Sequence, residues 1–358
     1  MSTYESATVT SVKNVGDRIS EAGLEMDSGA TARAVVLEQL VGTVEAGDLV
    51  VVNTTAVELS LGSGGYHYVV WNLSRRALDT GADGHIMKLR YTPLQVNVEA
   101  AEESLPYVQG EDLSHSLAGV PVVAGEVHSQ LLAAAVAYRH ASPTGRLVYV
   151  MTDGGALPAS FSRTVAFLVK EGYLASVITS GHAFGGDLEA VNLHGALLAA
   201  KRLQSADAVV ALMGPGIVGT GSALGFTGME QGDIINAAAS LGGVPVAIPR
   251  ITFGDARERH NGLSHHTVSA LKYGARTRSL IALPSIDGEK GDRVWGQLAA
   301  SGLDELHEVR EIDAAITLRL IEECGFPTTV MGRGIKEEPE FFMAAGAAGL
   351  VAAAHGGD

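Results

Sequence analysis

From residue 120 onward, short runs of apolar residues alternate with stretches in which apolar positions recur every three to four residues. The runs predict strands at Pro121–Ala124, Arg146–Met151, Ala175–Thr179, Asp207–Met213, Val244–Ile248 and Ser279–Leu283, each too short and too uniformly apolar for a surface helix. The periodic stretches predict helices at Gln130–His140, Phe161–Glu171, Leu188–Leu203, Gly232–Leu241 and His265–Tyr273. Strands alternating with helices of this length imply βαβ units with right-handed crossovers, hence a doubly wound parallel α/β domain over 119–358. His307–Ile312 adds an edge strand, Ala314–Cys324 a helix, and the alanine-rich Glu340–Ala354 a closing helix.

The first hundred residues carry a different rhythm. Ala7–Val12, Thr31–Leu37, Leu49–Asn53, Tyr66–Trp71 and Ile86–Tyr91 are β-rich runs separated by Gly, Asp and Asn, with no long helical period between them. They predict an antiparallel, β-barrel-like domain over 1–100. Residues 101–118 are polar and acidic and read as a linker.

Composition narrows the class of function. With 46% hydrophobic and 18% charged residues the chain fills a substantial core. A net charge of −15 argues against a nucleic-acid partner, which demands concentrated Lys and Arg. It leaves room for a small anionic ligand in a locally basic pocket. The single cysteine, Cys324, forms no intrachain disulfide and no thiolate metal site, and is expected to be dispensable. No apolar stretch approaches the roughly 20 residues that span a bilayer, and the N-terminus lacks the order of a secretory signal. A cytoplasmic protein with no membrane partner, and a homo-oligomer, is the expectation.

Five glycine-rich polar segments follow apolar runs directly: 151–158, 180–187, 213–221, 249–260 and 284–288. In a parallel sheet these are the loops outside the strand carboxyl ends, where ligands bind, so all five are expected in one crevice. Gly214-x-Gly216-x-x-Gly219 matches a dinucleotide turn, although a shuffled chain of this glycine content yields about 0.7 such matches. The following strand also ends in Arg250, where nicotinamide binders carry an acid. Gly154, Gly214, Gly216, Gly219 and Gly221 are therefore taken first as backbone donors to an anion, with Arg250 beside them. A nicotinamide or flavin cofactor ranks behind that. Lys88 and Arg90 share one face of a predicted strand and join the ligand-binding set.

The acid–base candidates are His182, Asp153, Asp187 and His265. Asp153 follows a strand directly, Asp187 precedes the helix predicted from Leu188, and His182 lies in a glycine turn. Ser264 is placed to cap a helix from His265, whose dipole keeps His265 and His266 neutral. With His260 and Asp255 they form a set for a divalent metal of the zinc or manganese type, the alternative being plain hydrogen-bond donors beside Arg250 and Arg257. No Gly-x-Ser-x-Gly elbow, His-Glu-x-x-His or Walker lysine occurs.

Six segments taken together, Asn53–His67, Gly84–Pro93, the Thr152-Asp-Gly loop, the Gly181-His-Ala-Phe-Gly-Gly-Asp loop, the Gly214–Gly221 loop and Arg257–His266, resemble the bacterial domain-of-unknown-function 3866 family over about residues 30–285. That resemblance implies no established activity, substrate or catalytic residues. The residues themselves point to an enzyme acting on a small anionic metabolite by acid–base or metal-assisted chemistry. A non-catalytic ligand sensor is the alternative, and a structural oligomer a third. Histidine and carboxylate side chains converging within about 4–6 Å would mark the enzyme, and a pocket lined by backbone amides alone the sensor.

Overall fold

A computed structural model describes residues 2–356 except 80, 82, 106 and 107, and divides the chain into two compact units, residues 1–99 and 100–358. In the first, strands β1 (Tyr4–Gly16), β2 (Ile19–Met26), β3 (Thr31–Leu37), β4 (Leu49–Asn53) and β5 (His67–Asn72) close a barrel in the order β1-β2-β3-β5-β4. Alternate residues such as Ala7, Val9, Leu24, Ala34, Val36, Val50 and Val52 fill its interior. A short antiparallel pair, β6 (Ile86–Lys88) with β7 (Val96–Val98), follows. Sequence reading missed β2. Its apolar alternation is broken by Gly23, which faces Ser11 of β1 at a register shift between Val9 and Ser11.

The second unit is built on β8 (Pro121–Ala124), β9 (Leu147–Thr152), β10 (Ser176–Ser180), β11 (Leu188–Ala190), β12 (Ala208–Met213), β13 (Val244–Ala247), β16 (Leu280–Pro284) and β17 (Glu308–Ile312). These make one all-parallel sheet in the order β11-β10-β9-β12-β8-β13-β16-β17. A separate pair, β14 (Ile251–Thr252) with β15 (Gly262–Leu263), brackets the loop that follows β13. Because successive strand residues face opposite sides, the sheet has two cores. Leu147, Tyr149, Met151, Val210 and Leu212 pack beneath the helices Leu131–Ala141, Arg163–Lys170 and Pro339–His355. Val148, Val150, Val209 and Ala211 pack beneath Leu193–Arg202, Glu230–Ser240 and Gly288–Ser301.

The chain runs outward from β8 to β11 with its first crossover helices on one face. It then returns to β12 and runs outward the other way to β17 with helices on the opposite face. Right-handed crossovers require this change of face when the direction of travel reverses. The neighbours β9|β12, β12|β8 and β8|β13 therefore send their connections to opposite faces, which opens a crevice at the carboxyl ends of the central strands.

Several expectations need correction. The stretch 101–118 is packed on the second unit rather than free of it. Ala101 and Leu117 are buried, the Val191 N–H donates to Glu102, and Arg202 pairs with Glu111. Pro106 and Tyr107 of that stretch lie outside the described residues. The helix predicted from Leu188 starts at Leu193, capped by Asn192, because Leu188–Ala190 instead extends the sheet as β11. The helix from His265 becomes a π-turn at Ala270–Gly274, and Gly288–Ser301 is a helix that sequence reading left out. No helix among the described residues is long and apolar enough to cross a membrane.

Candidate active site

At the β8|β13 crevice the chain leaving β8 carries Glu126 and the chain leaving β13 carries Arg250. Both are almost wholly buried, and Arg250 Nη1 donates to Glu126 Oε1 at 3.0 Å. His266 Nδ1 donates to the same oxygen at 2.7 Å. Burial works against the charged form of Glu126, but Arg250 and His266 together outweigh it and hold the carboxyl below its ordinary range. The backbone keeps Arg250 in place: its N–H donates to Thr267 Oγ1 at 2.8 Å, and its carbonyl accepts from the Ser264 N–H at 2.9 Å.

Three imidazoles gather above this pair. Ser264 caps the helix from His265, its Oγ accepting the His266 N–H at 3.2 Å while lying 2.8 Å from His260 Nδ1. The ring centroids are 4.9 Å apart for His260 and His265, 4.8 Å for His260 and His266, and 4.4 Å for His265 and His266. Phe226, from the loop after β12, lies flat on His266 with centroids 3.7 Å apart and planes 3° from parallel. Burial, reinforced by the Arg250 and Arg257 charges, pushes His260 down to about 3. Burial and the adjacent His266 and Arg259 bring His265 to about 4, so both rings are neutral at pH 7. One nitrogen from each of the three rings lies within 4.8 Å of the other two.

A cavity of about 190 Å³ opens beside these rings, lined by Ile217, Gly219, Gly221, Met331, the three guanidinium residues Arg250, Arg257 and Arg259, and His260 and His266. Arg250 is neutralised by Glu126, and Arg257 grips Asp255 bidentately, Nε to Oδ1 at 2.9 Å and Nη2 to Oδ2 at 2.7 Å. Arg259 is exposed and has no carboxylate within ion-pair distance among the described residues, so the mouth carries an uncompensated positive charge. Gly221, at φ 79°, lets the backbone pass beside the Arg259 guanidinium, and a Cβ on Gly219 would meet Phe226.

Of the expected metal set, His260, His265 and His266 come together and Asp255 does not. Its hydrogen bonds to Arg257 outweigh burial, hold the carboxyl far below the usual range and occupy both oxygens. Asp187 is also misplaced. It accepts from Ser176 Oγ at 3.0 Å and the Val177 N–H at 2.8 Å, at the amino end of β10 rather than the carboxyl end. Lys88 and Arg90 belong to the first unit, whereas every residue lining the cavity belongs to the second. Their shared strand face also fails: β6 stops at buried Lys88, Leu89 turns at φ 50°, and Arg90 donates to the Met87 carbonyl.

Asp153 and His182 meet, through the His182 backbone N–H and Asp153 Oδ2 at 3.0 Å, but neither lines the cavity. Gly154 lies against the Glu230 carboxylate, and Gly155 and Gly214 let the loops after β9 and β12 touch backbone to backbone. A Cβ on Gly216 would meet only the Ala156 backbone nitrogen, at 4.0 Å. Residues 214–229 intervene between β12 and the helix from Glu230, too long an excursion for the compact dinucleotide turn, which enters its helix at the third glycine. Sequence reasoning missed Glu126, Phe226 and Glu230. Glu126 was recoverable from the rule that selected Asp153, since it directly follows a buried strand. His128, half-buried, ties the loops further by contacts to the Met213 carbonyl and Ser162 Oγ at 3.2 and 2.6 Å.

No curated protein and no solved structure matches the chain. The family model described as "Protein of unknown function (DUF3866)" matches residues 33–349, and the chain belongs to that family.

Proposed function

We propose that the chain is an enzyme that acts on a small anionic substrate in the cavity between the loops after β12 and β13. What supports this reading is the convergence of His260, His265 and His266 on the Glu126–Arg250 pair inside an arginine-lined pocket. A pocket built only to hold an anion needs the guanidinium groups and backbone amides, not three imidazoles pressed together at 4.4–4.9 Å. In this reading Arg257 and Arg259 orient the anionic group, and Arg250 and Glu126 position His266. His260, a neutral imidazole lining the cavity, meets the reacting group either as a proton acceptor or as a ligand to a metal that polarises it. A cytoplasmic setting belongs to the same proposal.

The test is conversion. Purified protein is incubated with a panel of small phosphorylated and carboxylated compounds, and products are followed by mass spectrometry. The parent is expected to transform at least one compound, and the His260→Ala/His265→Ala variant none. Compounds that stabilise the fold against heat without being transformed would instead favour a ligand sensor.

A further inference from the structure

We propose that His260, His265 and His266 form an open three-histidine site for one divalent metal of the zinc class, its remaining coordination position facing the arginine-lined cavity. The inference rests on reading that cavity as an active centre for an anion. The three nitrogens lie within 4.8 Å of one another. Tetrahedral coordination at about 2.0–2.1 Å places ligand nitrogens about 3.4 Å apart, so a closure of about 1.4 Å at most completes the set.

The outer contacts are those that metal-bound histidines need. His266 Nδ1 is held by the Glu126 carboxylate and His260 Nδ1 by Ser264 Oγ, which leaves Nε2 of each ring as the free ligand atom. Phe226, flat on His266, restricts rotation of that ring. His265 Nε2 is buried with no hydrogen-bond partner among the described residues, a polar atom left unsatisfied unless something binds there. Glu126 Oε2 is likewise buried and has no hydrogen-bond partner among the described residues.

The arginines do not prevent this. Arg250 is paired with Glu126 and Arg257 with Asp255, which leaves Arg259, exposed at the surface, as the one cation of the three without a carboxylate partner among the described residues. Three imidazoles with neither thiolate nor free carboxylate select zinc, cobalt or nickel over magnesium or calcium. A metal with a vacant position beside guanidinium groups binds an oxyanion at two points, polarising it as a Lewis acid while the arginines hold its charge.

Chelator-treated protein is titrated with ZnCl2 alone by calorimetry, and a Co²⁺-loaded sample is examined by visible absorption. One Zn²⁺ per chain is expected, weakened at least tenfold by His260→Ala and by His265→Ala and not weakened by Arg259→Ala. Co²⁺ is expected to give the intense absorption of a four-coordinate nitrogen-rich site in the parent, a readout that does not depend on any variant folding. Absence of stoichiometric uptake, an octahedral cobalt spectrum, or equal binding by parent and His260→Ala/His265→Ala would overturn the proposal. Stabilisation of the metal-free protein by inorganic phosphate reports on the anion pocket separately, so failure of the metal site and failure of the pocket are told apart.

Discussion

Glu126 and Arg250 are both withdrawn from water, so each depends on the other for its charge to be tolerated. Removing one member of such a pair leaves an uncompensated buried charge. Glu126→Leu is therefore expected to lower the unfolding free energy by about 3–5 kcal/mol in urea titrations, with most of the loss recovered in Glu126→Leu/Arg250→Met. A loss below about 1 kcal/mol would mean that the pair is hydrated. Glu230 behaves in the opposite sense. Burial, with Asp153 and Asp233 nearby, outweighs its hydrogen bond from Thr152 and raises its carboxyl from 4.5 to about 7. Between those values the folded chain holds more protons at this site than the unfolded chain, so stability falls as pH rises. Glu230→Gln is expected to flatten the stability profile between about pH 4.5 and 7, by roughly 3 kcal/mol across the window, as read from denaturation at each pH. Cys324, half-buried with its Sγ donating to the Ile321 carbonyl, sits far simpler: Cys324→Ser is expected to change stability by less than about 0.5 kcal/mol and to leave zinc uptake intact. The histidine loop was legible because its residues are neighbours in sequence. The partners of Glu126 are 124 and 140 residues away, a distance that no local spacing encodes.

The elements themselves were legible wherever burial imposes one pattern along a whole segment. The central strands are buried at every position because both faces are covered, and apolar throughout but for Thr152 at the end of β9. Leu188–Ala190 failed because three residues carry too little pattern to separate an added edge strand from the first turn of a helix. The alanine-rich helix Pro339–His355 shows what its small residues do. Gly349 rides against the Ala134 carbonyl of the helix Leu131–Ala141, and Gly346 against Thr317. Gly349→Ala is expected to overpack that contact and lower stability by about 1–3 kcal/mol, although alanine is the better helix former. Gly296 is also inside a helix but faces open space, so Gly296→Ala should raise stability by up to about 1 kcal/mol. Thermal melts of the two variants give opposite signs if close packing, rather than propensity, decides the first.

At the scale of the molecule, strand order was the part that no segment announces. Each βα unit is visible in sequence, yet the return of the chain from β11 to β12 is set by long-range pairing. That return is what brings the loops after β12 and β13 around one cavity, with Glu126 of the loop after β8 bonded to its Arg250 and His266. The barrel and the parallel sheet have separate cores. Residues 100–358 made alone should therefore unfold cooperatively in denaturant and still be stabilised by phosphate. The barrel does not divide in the same way. The segment matched by the family model begins at Arg33, inside β3, and so omits β1 and β2. In a closed ring those two strands cover the free margins of β3 and β4. A protein trimmed to the matched segment would present two rows of unpaired amides and carbonyls to its neighbours, an invitation to strand-by-strand self-assembly that closure otherwise denies.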